Sequence, residues 1–154
     1  MTFYKKFWRE IKMFGIIVGT HGIFSSELVQ SCAMICGQKD YIKSVTFVQG
    51  ESVEKIAEKY QNAIHELGDP EHVLFLVDLR GGSPYNAAKS LVQKNQNYGI
   101  VTGVNLPMLI AMVYEDDADI KILIEKAIRG GSEGMYPATY EMLNAPEEIP
   151  ESDE

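Results

Sequence analysis

The chain has 154 residues, enough for one domain with a sizeable core. Its hydrophobic fraction of 45% and charged fraction of 23% are ordinary globular values. The net charge of −8 disfavours a nucleic-acid partner, and no apolar run approaches the roughly 18 residues needed to span a bilayer.

Residues 1–12, MTFYKKFWREIK, place Phe3, Tyr4, Phe7, Trp8 and Ile11 at helical spacing among basic residues. This is an amphipathic pattern without the continuous apolar core of a signal peptide. It reads as an N-terminal extension: a membrane-surface foot, a helix docked on the domain, or an upstream addition before Met13. The latter two are favoured. The apolar run Phe14, Ile16, Ile17, Val18 then stops in Gly19-Thr20-His21-Gly22. Apolar residues uninterrupted by charge suggest a strand buried on both faces, as in a parallel sheet covered by helices. His21 falls at the carboxyl end of that strand, the edge where open α/β sheets bind ligands.

A helix is expected at 25–35, stopped by Gly37, with Cys32 and Cys36 four apart on it. That spacing is awkward for a disulfide, and no acidic or histidine partner suggests a metal, so both cysteines read as core. A second strand at 42–48 is followed by the Gln49-Gly50 turn. A helix at 52–67 carries Ile56, Tyr60, Ile64 and Leu67 on one face and ends at Gly68. The strand at 73–77 is apolar throughout and ends at Asp78. The glycine pair Gly81-Gly82, Ser83 as N-cap and Pro84 as the first helical residue start a third helix. A strand at 98–103 and a helix from Pro107 to about Tyr114 follow. An acidic turn (Glu115, Asp116, Asp117, Asp119) leads to a helix at 119–128, stopped by Gly130-Gly131. The last ten or so residues are acidic and proline-containing, a composition that favours disorder. The chain thus divides into an extension (1–12), one domain (13–135) and an acidic tail (136–154).

The alternation of strands and helices points to a doubly wound, mostly parallel α/β sheet of order 2-1-3-4. Strands 1 and 3 are then neighbours whose connections leave to opposite faces, which brings His21, Asp78 and the start of the third helix together. This group permits three chemistries. His21 accepts a phosphoryl group, with Asp78 holding one ring nitrogen and helix amides holding the oxygens. Or Ser83 attacks an acyl group with His21 as base and Asp78 as orienter, although GGSP is not a G-x-S-x-G turn. Or Asp78 is itself phosphorylated, which is discounted because Thr20 and His21 stand where an acidic, magnesium-binding pair would be needed. A histidine phosphatase is disfavoured because Thr20 replaces the arginine of its Arg-His-Gly context. His65 and His72 read as solvated surface groups, and Arg80 as a loop arginine able to steer a phosphoryl group.

Four stretches, IIVGTHG (16–22), FVQGES (47–52), LFLVDLRGGSPYNAA (74–88) and GVNLPML (103–109), together resemble the enzyme IIA component of the mannose family of the bacterial phosphoenolpyruvate-dependent sugar phosphotransferase system. The resemblance covers about 13–135. It implies that Nε2 of His21 accepts a phosphoryl group from the phosphocarrier HPr and passes it to a IIB protein, which serves sugar import through the membrane IIC and IID components. Asp78 would orient His21 through Nδ1, and Ser83 and the backbone around Thr20 and Gly22 would lie near the phosphate. No metal or cofactor is implied, and the protein would be cytoplasmic, near the membrane through its permease. Because the sequence stops in an acidic tail, IIB is expected as a separate protein. The resemblance also implies a homodimer made by exchanging an antiparallel strand at about 133–139, where Pro137 cannot donate to a ladder. Two other readings of the same residues are a non-catalytic regulatory module and a Ser83-dependent hydrolase.

Overall fold

The computed structural model describes residues 14–116 and 119–146. The expected 1–12 extension, Asp117 of the acidic turn and the end of the acidic tail lie outside the described residues. Four parallel strands, β1 (Phe14–His21), β2 (Ile42–Phe47), β3 (His72–Val77) and β4 (Tyr98–Thr102), form one sheet of order β2-β1-β3-β4. Among the described residues six helices accompany them: α1 (Phe24–Cys36), α2 (Val53–Glu66), α3 (Ser83–Val92), α4 (Leu106–Val113), α5 (Ile120–Glu133) and α6 (Tyr140–Asn144).

Side chains on a strand alternate between faces, so an unbroken apolar strand feeds two cores. In β1, Phe14, Ile16 and Val18 pack with Leu28 and Cys32 of α1, Met108 and Leu109 of α4, and Leu123 of α5. Ile17 points the other way, into Ile56 and Tyr60 of α2 and Ala87 and Leu91 of α3. Each fully buried Ile or Leu contributes roughly 1.5–3 kcal/mol, so a central strand buried on both faces anchors the domain. Cys32 belongs to this core; burial and the neighbouring Cys36 push its thiol up to about 11. It therefore stays neutral at physiological pH. The two cysteines are free.

Close approach at one glycine fixes how α2 sits. A Cβ on Gly19 would run into the Tyr60 hydroxyl. The hydrogen at that position lets the phenol pass beneath the end of β1 and donate to the Pro84 carbonyl of α3 at 3.0 Å. Tyr60 thereby ties α2 to the start of α3 from inside the core.

One expectation needs correcting. The helix expected to stop at Gly130-Gly131 runs through both glycines to Glu133. A Cβ on Gly130 would meet that of Ala111, and one on Gly131 would lie 2.8 Å from the Met108 side chain. The glycines let α5 lie flush on α4, and Asn105 Nδ2 adds a hydrogen bond to the Gly131 carbonyl at 3.2 Å. At 133–139, where an exchanged strand is expected in a homodimer, the single chain has Glu133 closing α5, Gly134 as its C-cap and 135–139 outside any strand or helix. They lead instead to the short α6, capped by the Thr139 hydroxyl, which accepts from the Met142 amide at 3.2 Å.

The glycine packing predicts a reversal of the usual helix rule. On propensity alone, Gly130→Ala would stabilise the protein by about 1 kcal/mol. Against Ala111 it should instead destabilise by about 1–3 kcal/mol. A urea titration checks the sign, and a gain would mean that α4 yields to the new methyl.

Candidate functional site

The parallel register sets the site. Gly19 pairs with Val77 and His21 with Phe47. Asp78, one residue past β3, therefore meets the end of β1. Its Oδ2 accepts the His21 backbone N–H at 3.0 Å and lies 2.9 Å from ring Nδ1, while its Oδ1 accepts the Leu79 amide at 2.9 Å. A carboxylate only accepts, so a neutral imidazole in this contact would carry its hydrogen on Nδ1 and leave the Nε2 lone pair free. The His21 side chain is 44% exposed and that of Asp78 is 20%. The pair is thus shielded on the carboxylate side and open on the imidazole side.

The turn after β1 is built from buried side chains. Thr20 and Ser25 are fully buried. The Thr20 hydroxyl accepts the Ser25 amide at 2.6 Å and contacts the His21 carbonyl at 3.3 Å, while Ser25 Oγ donates to the Val45 carbonyl at 2.9 Å. The N-cap residue of α1, Ile23, has no side-chain cap, so Thr20 satisfies an early amide of α1 from outside the helix. Gly22 takes φ = 59° and donates its N–H to the Phe47 carbonyl at 2.7 Å. The left-handed conformation suits glycine.

Of the three residues expected near a phosphate, Thr20 and Gly22 thus have their polar groups committed to the turn. Ser83 differs. It was expected as the N-cap of α3, but Gly82 occupies that position and Ser83 is the first helical residue. The reason is local: Gly81, at φ = 80°, turns the chain early, and Gly82 donates to the Leu79 carbonyl at 3.2 Å. The half-buried Ser83 hydroxyl makes no hydrogen bond among the described residues. Asn86 is the first α3 residue to donate back, to Gly82, at 2.9 Å. The positive end of the α3 dipole lies at this turn.

Gly82 also borders the imidazole. A Cβ there would come within 2.8 Å of His21 Cε1 and 3.4 Å of Nε2. On another side the Phe47 ring meets the imidazole edge-on, with centroids 5.4 Å apart and planes at 71°. Phe47 and Gly82 carry no sequence signal that assigns them to the site, although FVQGES and GGSP both lie within the motifs. Behind Phe47, Glu51 Oε1 and Lys59 Nζ form an ion pair at 2.6 Å. The Lys59 ammonium and the Val48 amide hold the Glu51 carboxyl below the usual carboxylate range. Burial, with the Asp78 charge nearby, pushes the Tyr60 phenol well up, so it remains a neutral donor.

Arg80 is exposed and forms no ion pair among the described residues. His65 is a surface group 3.1 Å from Asp69. His72 is a correction: as the first residue of β3 its side chain is only 18% exposed, because the strand starts one residue earlier than expected. Among the described residues no group of three or more His, Cys, Asp or Glu could hold a metal ion. None of the described helices is long and apolar enough to cross a membrane.

Fold and site together define an open, doubly wound α/β protein with a carboxylate-oriented histidine at the switch point of its sheet. Residues 15–128 match the family model EIIA-man, described as PTS system fructose IIA component. The chain belongs to this family, the mannose-family IIA components of sugar phosphotransferase systems. It is 38% identical over 122 residues to the PTS system mannose-specific EIIAB component of Escherichia coli (strain K12), covering 78% of this chain and 38% of that protein. The chain thus spans well under half the length of that relative. It is 39% identical over 101 residues to the PTS system fructose-specific EIIA component of Bacillus subtilis (strain 168), covering 66% of this chain and 69% of that one. Among solved structures, phosphotransferase system component EIIA from Streptococcus agalactiae superposes with a TM-score of 0.73 at 27% identity, over 80% of this chain and 96% of that one.

The buried Thr20 hydroxyl gives a test of the turn. Thr20→Val would leave the Ser25 amide without its acceptor, at a cost of about 1–3 kcal/mol. Chemical denaturation should register that loss. A stability equal to wild type would mean that water or another group replaces the hydroxyl.

Proposed function

We propose that the protein is a phosphohistidine carrier of a sugar phosphotransferase system, with His21 as the group that is phosphorylated and Asp78 as its orienter. The observation that carries this reading is the His21–Asp78 pair, which points the Nε2 lone pair outward. Nε2 attacks the phosphorus of the phosphohistidine on HPr. The new N–P bond forms as the donor's N–P bond breaks, and the donor imidazole leaves with the electron pair. The His21 ring gains positive charge in this step, and the Asp78 carboxylate at 2.9 Å from Nδ1 stabilises it. The Ser83 hydroxyl, the first amides of α3 and the backbone around Thr20 and Gly22 are proposed to lie near the phosphoryl oxygens, with Arg80 steering the charge. The reverse geometry hands the group to a histidine of IIB, which supports sugar import through IIC and IID. Positioning and electrostatics suffice for such a transfer, so the proposal includes no metal or cofactor.

Exposed apolar residues follow each element of the site: Ile23 and Phe24 after His21, Val48 after Phe47, and Leu79 after Asp78. Such a rim around a charged centre suits a protein donor and acceptor better than a small-molecule substrate. A cytoplasmic homodimer working beside the membrane permease completes the proposal.

The test is phosphorylation with phosphoenolpyruvate, enzyme I and HPr, read by intact mass at alkaline pH because the N–P bond is acid-labile. One added phosphate is expected, absent in His21→Ala and acquired more slowly in Asp78→Asn, whose amide can hold the wrong tautomer. Ser83→Ala should change stability by less than about 0.5 kcal/mol, since Ser83 caps nothing. A hydrolytic activity lost in Ser83→Ala would favour acyl transfer. No phosphate with active partners would leave a regulatory module on this fold as the better reading.

A further inference from the structure

The His21 ring meets a side chain, that of Phe47, which has no hydrogen-bonding or ionisable group to offer. Phe47 is the last residue of β2, opposite His21 in register. Its ring lies edge-on to the imidazole. The backbone on both sides of Phe47 is held by side chains from α2 and the loop before it. Lys59 Nζ donates to the Thr46 carbonyl, immediately before Phe47, at 2.9 Å. Glu51 Oε2 accepts the Val48 amide, immediately after it, at 3.0 Å. The two side chains are joined by their ion pair, and the Phe47 carbonyl itself accepts the Gly22 amide. β2 is an edge strand, where one side of the backbone has no ladder partner. Lys59 and Glu51 supply partners in place of a further strand.

We infer that Phe47 is a positioning residue that sets the direction of the His21 imidazole, and that the Glu51–Lys59 pair holds Phe47 in place. This rests on the carrier reading for its consequence, though not for its geometry. Asp78 fixes Nδ1, Gly82 borders Cε1 and Nε2, and Phe47 limits rotation of the ring between them. Transfer needs the Nε2 lone pair in line with phosphorus, and small misalignments are costly in rate. Glu51 and Lys59 touch neither ring, so their effect passes through Phe47.

The test uses phosphoramidate, a small phosphoryl donor that needs no docking surface, together with nitrogen-15 spectra of the His21 ring. Phe47→Ala should slow phosphorylation of His21 roughly tenfold and shift the ring nitrogen signals. Phe47→Leu should lie between it and wild type. Lys59→Met keeps most of the stem, and with Glu51→Gln it should slow the reaction roughly threefold on the same grounds. Both variants also weaken a backbone hydrogen bond of β2 and should melt somewhat lower, so the rates are compared well below their melting temperatures. Should Phe47→Ala fail to fold, Lys59→Met and Glu51→Gln carry the test. Wild-type rates and unshifted ring signals in those variants would overturn the inference. So would a defect with phospho-HPr alone, which would make Phe47 a docking contact. If wild type itself accepts no phosphate from either donor, the carrier reading fails, while the nitrogen spectra still report whether Phe47 holds the ring.

Discussion

One carboxylate oxygen organises the functional end of this molecule. Asp78 Oδ2 receives both the backbone N–H and the ring Nδ1 of His21, so the same contact fixes the end of β1 and the orientation of its terminal side chain. The contact exists because β1 and β3 are parallel neighbours in a register that pairs Gly19 with Val77. That register in turn depends on the apolar residues of both strands being buried on both faces. A slip of one residue would turn Ile16 and Val18 toward α2 and α3 and separate the pair. The hydrophobic pattern of the strands and the geometry of the site are therefore one constraint.

Most of the fold was legible because these strands announce themselves. VLFLV and FGIIV have no charge to hide, their glycine-rich ends mark where they stop, and alternation with helices leaves few topologies. His21 and Asp78 became neighbours on paper through strand order alone. What stayed illegible were contacts decided by shape. Gly130-Gly131 carries the same local signal whether it ends a helix or lets one pack flush, and only Ala111 and Met108 decide between them. Ser83 before proline looks like a cap until the turn at Gly81 moves the cap to Gly82. Thr20 beside a histidine gives no sign that its hydroxyl faces inward to Ser25.

The support around the histidine was also hidden, for a different reason. Glu51 just before α2 and Lys59 on it sit among other charges, and sequence spacing gives no hint that they reach backbone groups of β2. Tyr60 occupies an apolar helix face like any core aromatic, yet its hydroxyl joins α2 to α3 beneath Gly19. Both features belong to α2 or the loop before it. Through these contacts α2 braces the end of β2 and the start of α3, two of the segments around the imidazole.

The turn between β1 and α1 has a consequence for how this domain can change. Connecting segments usually absorb insertions, because they run over the surface and bury little. Here Thr20 and Ser25 interlock inside the protein across four intervening residues, and Ser25 is bonded in turn to Val45. One more residue between them would pull apart a buried pair rather than lengthen a free loop. The segment that presents the histidine is therefore fixed in length, and variation between related molecules has to be accommodated elsewhere on the surface.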